Sequence, residues 1–179
     1  MTDTGDTLGY AANGFTQIGD QLLLAGTARF GTLATVQFFN DGSMGTFDAT
    51  LRFFNVGSPV GSQIGSNVVL TGIAVPASST LNVAFALPNL LLPDNVIFTV
   101  SVANASNGVD IVGLDMLEPP TIGSSDNTFA IANNGSSFVK VNENVFFEVQ
   151  AAATPEPAIA GIVGSALLAL ALLRRRFAL

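Results

Sequence analysis

Carboxylates are the reactive groups this sequence offers. Asp110, Asp115, Glu118 and Glu143 are candidates for the paired acids that hydrolyse a glycosidic bond, which must face each other about 5–9 Å apart across a cleft. The chain has 13 Asp and Glu and His 0, Cys 0 and Trp 0. That inventory removes histidine-assisted nucleophiles, thiolate and imidazole metal sites, haem and disulfides together. With one tyrosine, Tyr10, and no tryptophan, there is also little to stack a sugar against the two acids. Oxygen-only ligands leave calcium as the metal to consider, and Asn40, Asp41, Asp126 and Asn127 sit in turn-like segments as weak candidates. No loop has the alternating Asp spacing of a calcium loop, and Asn and Asp suit turn backbone without any ion. The chain therefore reads as non-enzymatic, with no cofactor and no resident metal.

Binding of a glycan without catalysis is the second class. It would use exposed aromatic platforms, whereas most of the 14 phenylalanines fall at inward strand positions and read as core. Phe39, Phe54 and Phe146 break the alternation, so they either face outward or belong to strands covered on both sides. Nucleic acid is excluded as a partner, because neutralising phosphates needs a face of Lys and Arg. Only Arg29, Arg52 and Lys140 precede the C-terminal cluster.

The elements that must carry these residues are strands. Phe47, Ala49, Leu51 and Phe53 alternate with Asp48, Thr50 and Arg52; Leu81, Val83, Phe85 and Leu87 alternate with Asn82, Ala84 and Ala86. This period of two marks strands with one buried face. Val96 to Val102 and Val145 to Val149 repeat the pattern. Segments 21–25, 29–39, 68–75, 109–116, 128–132 and 137–141 are further candidates, separated by turn clusters such as Asn40-Asp41-Gly42, Pro76 to Ser79 and Pro93-Asp94-Asn95. Eight to ten strands with no helix before Ala158 predict an all-β, antiparallel β-sandwich over residues 1–153, jelly-roll-like or immunoglobulin-like, with a barrel as second choice. A short echo, Phe38-Phe39-Asn40-Asp41-Gly42-Ser43 against Phe53-Phe54-Asn55-Val56-Gly57-Ser58, reads as two strands ending in similar turns at one edge of the sandwich.

Gly, Thr, Ser and Asn fill 60 of the 179 positions while charged residues are 11%, so the polar surface is hydroxyl and amide. The formal net charge is -7, unevenly spread. Met1 to Pro157 holds all 13 acids against three cations, a balance of -10, and the remainder holds Arg174, Arg175 and Arg176 with no acid. Between them, Ala158 to Leu173 is an uncharged run of 16 residues, about 24 Å as a helix. That is short against a hydrocarbon core of about 30 Å, and snorkelling arginine and local thinning make up the difference. The run is expected to be a single C-terminal transmembrane helix with the arginines on the cytoplasmic side and residues 1–153 outside. The small residues Ala160, Gly161, Gly164 and Ser165 lie along it at spacings that let membrane helices approach closely. No basic, apolar leader opens the sequence, so a leader is expected to precede Met1 or to have been removed.

Thr154-Pro155-Glu156-Pro157, the apolar run and Arg174-Arg175-Arg176, in that order within residues 154–179, resemble the PEP-CTERM sorting signal of exported bacterial proteins. The resemblance implies that Pro155, Glu156 and Pro157 are the recognition segment of an exosortase, a membrane-embedded cysteine protease. It implies export, transient anchoring in the inner membrane, and release to the surface or extracellular matrix of a bacterium that makes exopolysaccharide. Physically the residues suit that role, since two prolines hold an extended, hydrogen-bond-poor strand accessible to a protease just outside the bilayer. Residues 19–29, 88–102 and 118–135 also resemble a recurring group of ectodomains found ahead of such tails, a likeness that implies fold and address but no activity. The expected function is that of a non-enzymatic surface or matrix protein, with a carbohydrate-binding module for exopolysaccharide as the alternative and a carboxylate-based glycan hydrolase as a distant third.

Overall fold

The computed structural model describes residues 2–9, 15–57, 61–106, 112–118, 123–125, 129–132, 137–140 and 144–152. These residues form twelve strands and no helix: β1 (Thr2–Gly9), β2 (Phe15–Leu23), β3 (Phe30–Asn40), β4 (Gly45–Asn55), β5 (Gln63–Val75), β6 (Ser79–Leu91), β7 (Asn95–Ala103), β8 (Val112–Glu118), β9 (Ser124–Ser125), β10 (Phe129–Ala132), β11 (Ser137–Lys140) and β12 (Phe147–Ala152). Every pairing is antiparallel. The expected all-β antiparallel class is therefore what forms. The expected C-terminal helix, Ala158 to Leu173, lies outside the described residues.

The first eight strands divide into two sheets ordered β1-β8-β3-β6 and β2-β7-β4-β5, so the chain changes sheet at every connection except β4 to β5. β6 runs the full length of one edge of β3, and the opposite edge is shared end to end by β8, along Phe38 to Asn40, and β12, along Phe30 to Val36. An isolated bridge, Met116 to Val145, and a bond from Phe146 N to Asp115 O (3.0 Å) join those two strands at their meeting point. In the other sheet β9 and β10 share the outer edge of β2, and β11 continues beyond β10.

The period of two in β4 and β6 has the consequence expected of it. Phe47, Ala49, Leu51 and Phe53 from one sheet and Val83, Phe85 and Leu87 from the other are buried, and Ala34, Val36 and Phe38 of β3 join them. Phe38 meets Phe47 across the sandwich with ring centroids 5.0 Å apart. The hydrophobic effect drives this closure, since each sheet carries one apolar face that only the other sheet covers. β7 departs from alternation: Val96 to Val100 are all buried, with Thr99 Oγ1 donating to Gln17 Oε1 (2.8 Å) of the neighbouring β2. Phe39 is likewise buried at the end of β3, while Phe54 and Phe146 are half-buried.

The 15-residue echo resolves into two strand ends in different sheets. Asn40 closes β3, its Nδ2 donating to Ser43 O (2.8 Å) and Pro76 O (2.9 Å) and its Oδ1 accepting from Gly42 N (2.9 Å). Asn55 closes β4, donating to Ser62 Oγ (2.9 Å). Because β3 and β4 run antiparallel in facing sheets, the two turns sit at opposite ends of the sandwich rather than at one edge.

Candidate functional site

The described residues enclose a cavity of about 610 Å³ where the two sheets part. Leu22, Leu24 and Leu92 form one side, and Phe147, Val149 and Ala151 of β12 the other. Sequence alternation built both walls: Leu22 follows Ile18 on the inward face of β2, and Phe147, Val149 and Ala151 are the half-buried positions of β12. Phe147 joins the cavity to the core. Its ring stacks on Phe98 at 3.9 Å with the planes 19° apart, and meets Phe53 edge-on at 6.1 Å.

The rim is polar. Arg29 Nε is 2.7 Å from Asp94 Oδ1, and Arg29 Nη1 donates to Ala28 O (2.8 Å). Backbone bonds from Leu24 N to Asp94 O (2.8 Å) and from Leu92 N to Arg29 O (2.9 Å) tie the β2–β3 loop to the β6–β7 turn beneath this pair. Ser124 and Ser125 border the cavity from β9. Gly123 lets β9 approach: its φ is +77°, and a Cβ there would stand 2.6 Å from Leu23 O. Asp20, with no solvent exposure, accepts from Ser125 Oγ and from Gln21 N (2.7 Å). A buried carboxylate needs such donors, because charge taken out of water must be met by hydrogen bonds.

None of the acids singled out from the sequence is in the described lining. Glu148 is the one carboxylate in the described lining, exposed and accepting from Gln150 Nε2 (3.2 Å). Asp115 is buried on β8, where its Oδ1 accepts from Met116 N (3.1 Å). Glu118 ends β8. Asp110, Glu143, Asp126, Asn127 and Tyr10 lie outside the described residues, as do Pro155, Glu156, Pro157 and Arg174 to Arg176. Of the calcium candidates, Asn40 spends its amide on turn backbone, and Asp41 beside it is exposed. No group of three or more acids placed to hold a metal ion occurs among the described residues. The cavity's chemistry is that of a mostly aliphatic slot with hydroxyl, guanidinium and carboxylate groups at its mouth, suited to a small apolar or amphipathic molecule.

The Asp20–Ser125 bond and the Arg29–Asp94 clamp were missed by reading acids as loop or pair candidates. A signal for the first was present: Asp20 shares the period-two face of Ile18 and Leu22, so a strand there puts an acid among apolar residues. The clamp joins positions 65 apart and has no local signature. The three stretches noted for their likeness to other ectodomains, 19–29, 88–102 and 118–135, each contribute to this cavity or its rim.

A second polar cluster lies on the outer face of the other end. Asp48 of β4 accepts from Asn104 Nδ2 (2.6 Å) and Gly72 N (2.8 Å). The Asn104 bond first, and the Gly72 bond second, hold its carboxyl below the ordinary 3.8 against a small opposing effect of burial. Gly72 sits at φ +64° where β5 carries an extra residue against β4, so Asp48 pins a bulge.

The chain is a two-layer antiparallel β protein with an edge cavity. No family model, no curated protein and no solved structure matches it. Among the described residues no helix is long and apolar enough to cross a membrane.

Proposed function

We propose that this is a non-enzymatic exported protein of the bacterial surface or extracellular matrix, a jelly-roll sandwich carried on a PEP-CTERM-type sorting tail. The strand orders 1-8-3-6 and 2-7-4-5 are those of two interlocked Greek keys, which favours the jelly roll over the immunoglobulin arrangement. The observation that carries the functional reading is the order of segments after the last described strand: β12 ends at Ala152, and Thr154-Pro155-Glu156-Pro157, the uncharged run 158–173 and Arg174-Arg175-Arg176 follow it in sequence. Among the described residues the two sheets bury their apolar faces against each other, which suits a domain carried on a removable tail.

The surface agrees with a structural role. Thr35, Gln37, Thr80, Asn82 and Gln150 occupy the outer face around β3, with Gln37 Nε2 donating to Asn82 Oδ1 (2.9 Å), a hydroxyl and amide surface. The carbohydrate-binding alternative draws no support from aromatic platforms, since every phenylalanine whose side chain is described is buried or half-buried. Exosortase, the membrane before processing, and exopolysaccharide are the partners this reading proposes. The test is expression of the full chain behind a secretion leader beside an exosortase: the tail is lost from the wild type and retained when Pro155, Glu156 and Pro157 are replaced.

A further inference from the structure

We propose that the free edge of β6, Ser79 to Ala86, pairs with the same strand of a second copy of this chain, joining two five-stranded sheets into one. Sheet edges present alternate N–H and C=O groups to solvent, and stable monomers block them with charge, proline, bulges or shortness. Among the described residues the other terminal strands carry such devices. β1 holds Asp3 and Asp6 and a register shift between Asp3 and Thr7. β5 shifts register twice against β4, β11 has four residues and ends in Lys140, and β12 contains Glu148 and shifts between Gln150 and Ala151. In β6 the register with β3 is unbroken from Ser79 to Ala86, and Pro88 and the left-handed Asn89 (φ 51°) come only afterwards. Eight residues are thus left regular and uncharged, with no strand paired to their other side among the described residues.

Charge chooses the occupant. Residues 53–93 contain no Asp, Glu, Lys or Arg, a neutral stretch of 41 residues in a segment whose balance is otherwise -10. Two copies repel wherever acids face acids, and the β6 edge is where that repulsion is least. The strand is also self-complementary. Placed antiparallel about a two-fold axis through Val83, Asn82 faces the partner's Ala84 and Thr80 faces the partner's Ala86, small or amide side chains without a clash. On the inner face Leu81 meets the partner's Phe85, which continues the apolar row. This proposal is independent of the sorting reading, because it rests on the sandwich alone.

The test uses the full chain in detergent micelles, with protein mass measured by sedimentation after subtracting bound detergent. The wild type is expected at twice the chain mass and Ala84→Lys at the chain mass, its far-UV spectrum unchanged because Ala84 is exposed. A double variant, Asn82→Cys with Ala84→Cys, guards against misfolding of the lysine variant. In a chain with no native cysteine it should give a covalent dimer on mild oxidation, since directly opposed positions lie within disulfide reach. A wild type of single chain mass, a dimer that survives Ala84→Lys, or a cysteine pair that links no copies would each overturn the proposal.

Discussion

Replacing Phe98 by Ala tests whether β12 closes the sandwich. Phe98 has no exposure and stacks on Phe147 of the facing sheet at 3.9 Å. A buried phenylalanine removes about 200 Å² from water, which at ~25 cal/mol per Å² is about 5 kcal/mol as an upper bound. The remaining alanine recovers part of that, and the unfilled cavity adds to the loss, so Phe98→Ala should cost about 3–5 kcal/mol. Phe147 is half-buried, and Phe147→Ala should cost roughly half as much. The double variant should fall short of the sum by about 0.5–1.5 kcal/mol, the worth of the ring pair itself. Urea unfolding of a chain ending at Ala153, followed by far-UV circular dichroism because the chain lacks tryptophan, measures all three. A cost below about 1.5 kcal/mol for Phe98→Ala, or strict additivity, would show that the two sheets do not meet through this pair.

The remaining expectations concern single positions. Gly19→Ala places a Cβ 2.1 Å from Phe98 O, so β2 must part from β7, and a loss of about 1–3 kcal/mol should appear in the same assay. Asp48→Asn should lower the urea midpoint at neutral pH, although the carboxylate lies on the surface, because it pins the Gly72 bulge. The folded carboxyl titrates below its ordinary 3.8, so its contribution is whole above 3.8 and disappears as pH falls through the folded value; the wild type should lose midpoint there, and Asp48→Asn should lose less. Asn40→Ala removes three bonds at the β3–β4 turn and should cost about 1–3 kcal/mol, with calcium having no effect on the wild-type midpoint.

Alternation made most strands legible. β4 and β6 are legible at their centres because a period of two survives in a strand with one covered face, and β7 is legible from the row Val96, Phe98 and Val100 although the residues between them are buried too; Phe47, Phe53, Phe85 and Phe98 are buried as the inward rows require. Phe147 is only half-buried, because the cavity opens on its far side. β1 escaped notice: Thr2 to Gly9 has no apolar row, and it is held by pairing to β8, which no local pattern reveals. The first half of β5 was missed for a related reason, since the extra residues that bulge it against β4 break the period. β9 is two residues fixed by Gly123 and the edge of β2. The cavity was illegible because its walls come from β2 and β12, which pairing with β7 and β3 brings opposite each other. Asp48 alternates outward in β4, and its bonds to Gly72 and Asn104 have no signature in residue spacing.

The proposed sandwich on a removable sorting tail is tested most directly by the intact mass of the protein expressed behind a leader with and without an exosortase. The expected product is truncated near Pro155 to Pro157 and free of the membrane when the protease is present, and is an uncut membrane-bound chain when it is absent or when Pro155, Glu156 and Pro157 are replaced. A full chain that remains soluble without detergent, together with a chain ending at Ala153 that aggregates, would make the last segment part of the fold and rule out a removable tail.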